Sequence, residues 1–227
     1  MVTHNNLHLT KLALESIKAQ QPPVDCLVID NASDDGTPQY LSTGKTLYTI
    51  CHTKQQSLSA CWNQGLKACY AAGYTQVLVV NNDVELLPLT HSALQFMNLP
   101  FVSAVSVDNR AQLITPTGPW SFSTRPHPDF SCFMIRRDAF EIVGPFNEAY
   151  YPAYGEDAEW HIRAHRAGVE CVCIDVPFLH HGAQTVKNCD DAARILIQRG
   201  ADNNRAMFKA TYGAEIGSPE YYELFKR

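Results

Sequence analysis

An α/β fold with a mainly parallel central sheet and flanking helices is predicted by three features of the sequence. Strand-like and helix-like stretches alternate as far as Val107. Two polar clusters, at Asp30 and at Asp83, each follow directly on a strand-like run. The composition, 45% hydrophobic and 18% charged over 227 residues, is that of a chain with a packed core and one main domain.

The elements follow in order. Met1–Thr3 reads as the end of a strand. Asn6 is placed to cap a helix over Leu7–Ala19, where Leu9, Leu12, Ala13, Ser16 and Ile17 approximate one face, and Pro22–Pro23 ends it. Val24–Ile29 is a short apolar strand that stops at the turn-forming run Asp30-Asn31-Ala32-Ser33-Asp34-Asp35-Gly36. Thr37 followed by Pro38 starts a helix, and Leu47–Cys51 reads as a strand. Ser59–Ala72 is helical and closes at Gly73; Gln76–Val80 is a strand that ends at Asn81-Asn82-Asp83. Pro88–Met97 reads as helix and Val102–Val107 as strand. In open α/β sheets ligands collect beyond the carboxyl ends of the strands, and both polar clusters stand there.

The second half is less regular. Prolines 116, 119, 126 and 128, with Gly118 and Trp120, mark a long loop of the kind that binds or covers ligands. Phe130–Ile135 is apolar without a period, and Arg137–Val143 is a short helix. An aromatic loop runs from Gly144 to Gly155, and Glu156–Ala167 is helical up to Gly168. Cys171–Val176 reads as a strand stopped by Pro177, with His180 and His181 just beyond. Asp190–Tyr212 is a helical tail interrupted near Gly200.

Charge and cysteines narrow the function classes. The net charge of -5 argues against a broadly basic surface for nucleic acid. No run reaches the roughly 18 to 20 apolar residues that span a bilayer. The eight cysteines show no structural-metal spacing and read as reduced thiols. Phosphate loops, dinucleotide fingerprints, nucleophile elbows and zinc-hydrolase spacings are absent.

Four places carry potential chemistry. Asp83 is a hard oxygen ligand at a strand end, with Asn81 as a weaker neutral neighbour, and one carboxylate needs a second ligand such as a histidine. The same triplet could equally be a turn bonding its own backbone. Asp30 could accept hydrogen bonds from a base or ribose, or belong with Ser33 to a turn that caps the next helix. Asp157 opens a helix after a glycine and could act as general base, although acids in a first turn also suit the helix dipole. His180 and His181 point opposite ways in extended chain, so at most one faces a site.

Taken together, the motifs resemble those of the family 2 glycosyltransferases, an inverting group with the GT-A nucleotide-sugar-binding fold. Val2-Thr3-His4-Asn5 is similar to the family's V-T-x-N, and Asp30–Thr37 to its D-N-x-S-x-D-G-T. Asn63-Gln64-Gly65 resembles N-x-G, Asn81-Asn82-Asp83 the N-N-D form of the D-x-D motif, and Gly155-Glu156-Asp157 the G-E-D motif. Cys132–Phe146, Arg163 with Gly168, and Asn204 with Lys209 and Gly213 match later family patterns.

The resemblance implies a single catalytic domain over 1–213, with a nucleotide-binding half to about residue 110, an acceptor and catalytic half over about 111–213, and a C-terminal tail over 214–227. Only Met1 and Val2 stand where the family has a full first strand, so that strand is expected to be truncated. Asp157 would be the catalytic base. Thr3, Asp30, Ser33, Asn63, Asn82 and Asp83 would contact the nucleotide sugar. Asp83, Asn81 and His180 (or His181) would hold Mn2+ or Mg2+, and Trp120 and Glu156 would face the acceptor. The implied donor is UDP- or dTDP-linked, with a hexosyl or deoxyhexosyl group. The implied acceptor is a glycan, a lipid-linked glycan or another hydroxyl compound, and nucleic acid is disfavoured. The expected location is the cytoplasm or the inner face of a membrane. A nucleotidyltransferase would want a basic loop that Thr37–Lys45 lacks; a non-catalytic nucleotide-sugar or glycan binding module would not need both Asp157 and Asp83.

Overall fold

A computed structural model describes residues 1–44, 47–114, 121–182, 189 and 191–226. The chain builds two sheets that meet at one point. In the first, β1 (Val2–Thr3), β2 (Cys26–Asp30) and β3 (Leu47–Cys51) run parallel in the order β1-β2-β3. Helices α1 (Leu7–Lys18), α2 (Thr37–Ser42) and α3 (Leu58–Ala71) follow these three strands in turn. Strand β1 has only two residues, and its register sets Thr3 opposite Asp30.

The second sheet is mixed. It contains β4 (Gln76–Val80), β5 (Val84–Glu85), β6 (Phe101–Val107), β7 (Thr124–Arg125), β8 (Cys132–Arg136) and β9 (Cys171–His180). Its spatial order is β4-β8-β6-β9-β5, with β7 added to β9. Only β6 and β9 pair in parallel. The expected parallel arrangement therefore describes the first sheet, while the second gains antiparallel strands where β5, β7 and β8 turn back. Among the described residues a single parallel bridge, Val2 to Asn81, joins the two sheets.

Helix α4 (Thr90–Met97) precedes β6; α5 (Arg137–Val143) and α6 (Glu156–Arg166) lie between β8 and β9; α7 (Asp191–Tyr212) and α8 (Pro219–Glu223) close the chain. Among the described residues no helix is long and apolar enough to cross a membrane.

Three local expectations change on the structure, each for a physical reason. Asn6 sits in the left-handed region and makes no side-chain cap to α1. Asp35 does that work from across the loop: Leu7 N donates to its Oδ2 at 2.9 Å, and Thr37 N to its Oδ1 at 2.9 Å. Burial opposes the charge on Asp35, yet the bonds from Thr37 and Leu7 hold its carboxyl below the usual range.

Pro177 does not end β9, which continues to His180. The register on β6 shifts between Ser103 and Val105, and Pro177 pairs just after that irregularity, where a missing N–H is tolerated. Gly200 does not interrupt α7 either. A Cβ there would lie 2.4 Å from Pro152 Cδ and 2.8 Å from Tyr151 O, so glycine lets the helix press against the 151–154 loop.

The core holding these layers is aromatic. Phe101, Phe133, Phe146 and Trp160 are fully buried, and the Trp160 indole stacks on Phe146 at 5.1 Å. Its Nε1 donates to Gly144 O at 2.9 Å, so the indole also fixes the end of α5. The C-terminal residues join the packing: Ala214 and Tyr221 are buried with Tyr150, Ile162 and Phe208 in a cluster of their own. The segment beyond 213 is thus fastened to α6 and α7 rather than trailing from them.

Gly200→Ala is expected to lower unfolding free energy by about 1 to 3 kcal/mol, because backbone rather than a flexible side chain meets the added carbon. Urea denaturation of the pair of proteins measures it.

Candidate functional site

A cleft of about 710 Å³ opens where the two sheets meet. Its floor carries Trp62 and Phe130 from the aromatic core. Thr3, Asn81, Asn82 and Asp83 bring the strand ends to one wall; Pro152, Tyr154, Glu156 and Asp157 bring the loop before α6 to the other. The cleft lies beyond the carboxyl ends of β1 and β4, where an α/β sheet leaves room for a ligand.

One end is built by β4, β5 and β9. Val84 pairs with His180, which sets His180 beside the preceding residue, Asp83. His180 Nε2 stands 3.4 Å from Asp83 Oδ1, and both residues line the cleft. His181 turns the other way: its Nε2 lies 2.8 Å from Glu85 Oε1, an oxygen that also accepts from Arg110 at 2.6 Å. The alternation of the extended chain thus gives the two histidines different partners. Among the described residues no three histidines, cysteines or acids gather at metal-binding distance. A carboxylate and an imidazole at 3.4 Å fit a divalent ion that takes its other ligands from a phosphate and water.

The opposite wall carries two adjacent acids in different surroundings. Gly155 has φ 100°, and a Cβ there would stand 2.9 Å from the Tyr150 ring, so only glycine fits this turn into α6. Asp157 is half-buried, and its Oδ1 accepts from Ala158 N at 2.7 Å. Burial is the main cause that pushes its pKa up, with Asp129 adding to it, so its carboxylate is a stronger base than a solvated one. Glu156 is only 3% exposed, and its Oε2 has no hydrogen-bond partner among the described residues. Burial first, and the charge of Asp157 second, push it up to about 8.

The remaining residues predicted from sequence divide clearly. Thr3 is buried, its hydroxyl 2.7 Å from that of Thr10, and Asn82 Nδ2 donates to both hydroxyls and to Asn5 O. Asn81 lines the cleft and donates its N–H to Ser131 O at 3.1 Å. Asp30 and Ser33 stand behind the cleft, knitting the loop: Ser33 N donates to Asp30 Oδ1 at 3.0 Å, and Asn5 N to Ser33 Oγ at 2.8 Å. Asn63 is also away from the cleft. Its amide is a buried clamp that accepts from Phe146 N at 2.8 Å and donates to Phe146 O and Glu148 Oε1. Trp120 lies outside the described residues.

Cleft residues that sequence reasoning passed over include His4, Arg125, His127 and Asp129. His4 stood inside a motif whose threonine drew the attention. The other three come from the proline-rich stretch, where no period signals which side chains point inward.

Residues 1–105 match the model of glycosyl transferase family 2. No curated protein matches the sequence. Among solved structures, the chain superposes on the mannosyltransferase PcManGT from Pyrobaculum calidifontis, solved with GDP-Man and Mn2+, with a TM-score of 0.63 and 19% identity over 99% of this chain and 66% of that one. It also superposes on GalNAc-T7, solved with UDP, GalNAc and Mn2+, with a TM-score of 0.62 and 12% identity over 79% of this chain and 42% of that one. The chain therefore spans just under two thirds of the first structure and under half of the second. At such identities the likeness is one of fold, and that fold is GT-A. The resemblance to family 2 glycosyltransferases is carried by the sequence of the first 105 residues.

Two measurements check the placements. Asn63→Ala strips a buried clamp and is expected to cost about 2 to 4 kcal/mol of unfolding free energy in urea. For Glu156, folded and unfolded states both hold the proton below the ordinary glutamate range, so its burial costs nothing there. As pH rises towards 8 the unfolded chain ionises first and the fold loses stability. Glu156→Gln removes that loss, so its stability relative to the wild type should climb from about pH 4.5 and level off above about pH 8.

Proposed function

We propose that the protein is a metal-dependent inverting glycosyltransferase that moves a hexosyl or deoxyhexosyl group from a nucleoside-diphosphate sugar to an acceptor hydroxyl. The observation that carries this reading is one cleft with the Asp83–His180 pair on one wall and Asp157 on the other. The family 2 match over residues 1–105 and the GT-A fold support it. UDP- and dTDP-linked donors are the first choice. GDP-mannose joins them because a structure of the same fold was solved with it. A glycan or lipid-linked glycan acceptor, in the cytoplasm or at the inner face of a membrane, belongs to the same proposal.

The residues divide the work by position. Asp83 and His180 would hold Mn2+ or Mg2+, with Asn81 beside them. When bound, the metal supplies positive charge against the diphosphate. Asn82 and Thr3 keep the strand ends where the nucleotide would lie; Asp30, Ser33 and Asn63 support that side from behind. Asp157 takes the proton from the acceptor hydroxyl as its oxygen bonds to the anomeric carbon. The bond from that carbon to the diphosphate oxygen breaks, and its electron pair leaves with the nucleoside diphosphate. Attack from the Asp157 wall and departure towards the Asp83 wall lie on opposite sides of the sugar, which inverts the anomeric centre. Glu156, kept protonated up to about 8, adds no second negative charge beside the base at neutral pH.

Donor hydrolysis tests the reading without a known acceptor. Purified protein is incubated with UDP-, dTDP- and GDP-sugars, with and without Mn2+ or Mg2+. One donor is expected to be hydrolysed only with metal. Asp157→Asn should cost about 100-fold or more in rate, and Asp83→Ala should abolish the metal response. Hydrolysis that ignores both substitutions, or no binding of any nucleotide by titration, would overturn the proposal.

A further inference from the structure

The arginines of this chain are mostly committed. Arg110 grips Glu85, Arg163 grips Glu159, Arg137 pairs with Glu141, and Arg205 with Asp202. Arg125 differs. It is exposed, it lines the cleft, and among the described residues it forms no ion pair. The group it touches is the Cys173 thiol, whose proton it loosens slightly against a larger effect of burial. A guanidinium offers five donors in a rigid fork, and a thiol satisfies few of them.

Its place in the sheet is well defined. Arg125 pairs with Cys173 on β9, and Cys173 pairs with Ser103 on β6. Leu179, which precedes His180, pairs with Val107, four residues further along β6. At about 3.3 Å per residue, the Arg125 backbone stands roughly 13 Å along the sheet from the Asp83–His180 end. It therefore lies away from the end assigned to the diphosphate.

Asp129 ties Arg125 to the base. Asp129, Cys173 and Asp157 all line the cleft, and the charge of Asp129 acts on the other two. Asp129 is itself engaged, accepting from Ser131 N at 2.8 Å through Oδ1 and donating its N–H to Ser103 Oγ at 2.8 Å. His127, two residues from Arg125, also lines the cleft and adds a second nitrogen donor or acceptor.

We propose that Arg125 is a specificity-determining residue for the acceptor and takes an acceptor sugar that carries an anionic group, a carboxylate or a phosphate. The assignment rests on the glycosyltransferase reading of the cleft. Carboxylate and phosphate both present two oxygens to the guanidinium fork, so the geometry selects the charge and experiment selects the group. Asp157 and Asp129 repel an anion placed at random in the cleft. The anionic group is accepted only with its oxygens on Arg125, which orients the sugar and leaves a hydroxyl towards Asp157.

The test is binding first and turnover second. Glucuronate, glucose 6-phosphate and glucose are titrated into wild type, Arg125→Gln and Arg125→Lys, followed by protein NMR shifts, with melting temperature recorded for each variant. The wild type is expected to bind one charged sugar at least about tenfold more tightly than glucose. Arg125→Gln should bring that ratio to about one, and Arg125→Lys should keep part of it because charge remains without the fork. A larger effect with glucuronate assigns the carboxylate; a larger effect with glucose 6-phosphate assigns the phosphate. Equal binding of charged and neutral sugars, absence of binding of all three, or a charge preference that survives Arg125→Gln would overturn the proposal. With an active donor, p-nitrophenyl glucuronide against p-nitrophenyl glucoside repeats the comparison as KM, and the ratio should collapse in Arg125→Gln while kcat changes less. Donor hydrolysis that ignores Asp157→Asn and Asp83→Ala would instead remove the transferase reading, so the two failures are separately visible.

Discussion

The cleft depends on a seam one residue wide. Two sheets touch through the Val2–Asn81 bridge, and next to it the buried Asn82 amide donates to Thr3, Thr10 and Asn5 together. A buried amide left without these acceptors would cost about 1 to 3 kcal/mol, so the seam has little freedom to slide. Because Asp83 follows directly, the same bonds that close the seam also aim its carboxylate. The cleft opens beside this seam, and its volume is what a ligand can fill.

Across the cleft, burial raises the pKa of two neighbouring acids that sit in different surroundings. Glu156 is enclosed and keeps its proton to about 8; Asp157 is half-buried and shares its charge with a backbone N–H. The glycine at 155 makes this possible by turning the chain so that successive residues enter different surroundings. Helix α7 stabilises the arrangement from outside. Gly200 presses on Pro152, and Asn204 Nδ2 donates to Ala153 O at 2.8 Å. The far end of the chain thus shapes the wall that carries the candidate base.

The alternation of strands and helices made the first sheet legible; the turn-rich cluster after Val80 marked the end of β4, and the one after Ile29 came one residue short of the end of β2. The rest was hidden for definite reasons. Pro177 is a poor strand residue by itself, and only the shifted register opposite β6 makes room for it. Gly200 reads as a helix breaker until Pro152 is seen against it. Which of His180 and His181 stands beside Asp83 depends on strand phase relative to β5, a long-range fact that the dipeptide cannot carry. Asn63 sits in a motif that suggests ligand contact, yet its clamp partners lie more than 80 residues away at Phe146 and Glu148. Arg125 gave no local signal because its distinction, a place on the cleft with no ion pair among the described residues, exists only in three dimensions.

Asp35 has a consequence for motion. One carboxylate accepts from the first turn of α1 with one oxygen and from the first turn of α2 with the other. Neither helix can fray at its start without disturbing the shared anchor, so the two openings are coupled into one event. Asn5 closes the same knot, its Oδ1 accepting from Asp34 N and Asp35 N. The loop behind the Thr3 side of the cleft therefore behaves as a hub: it stays shut as a unit or releases two helices together, and amide exchange at Leu7 and Thr37 should share a single opening rate.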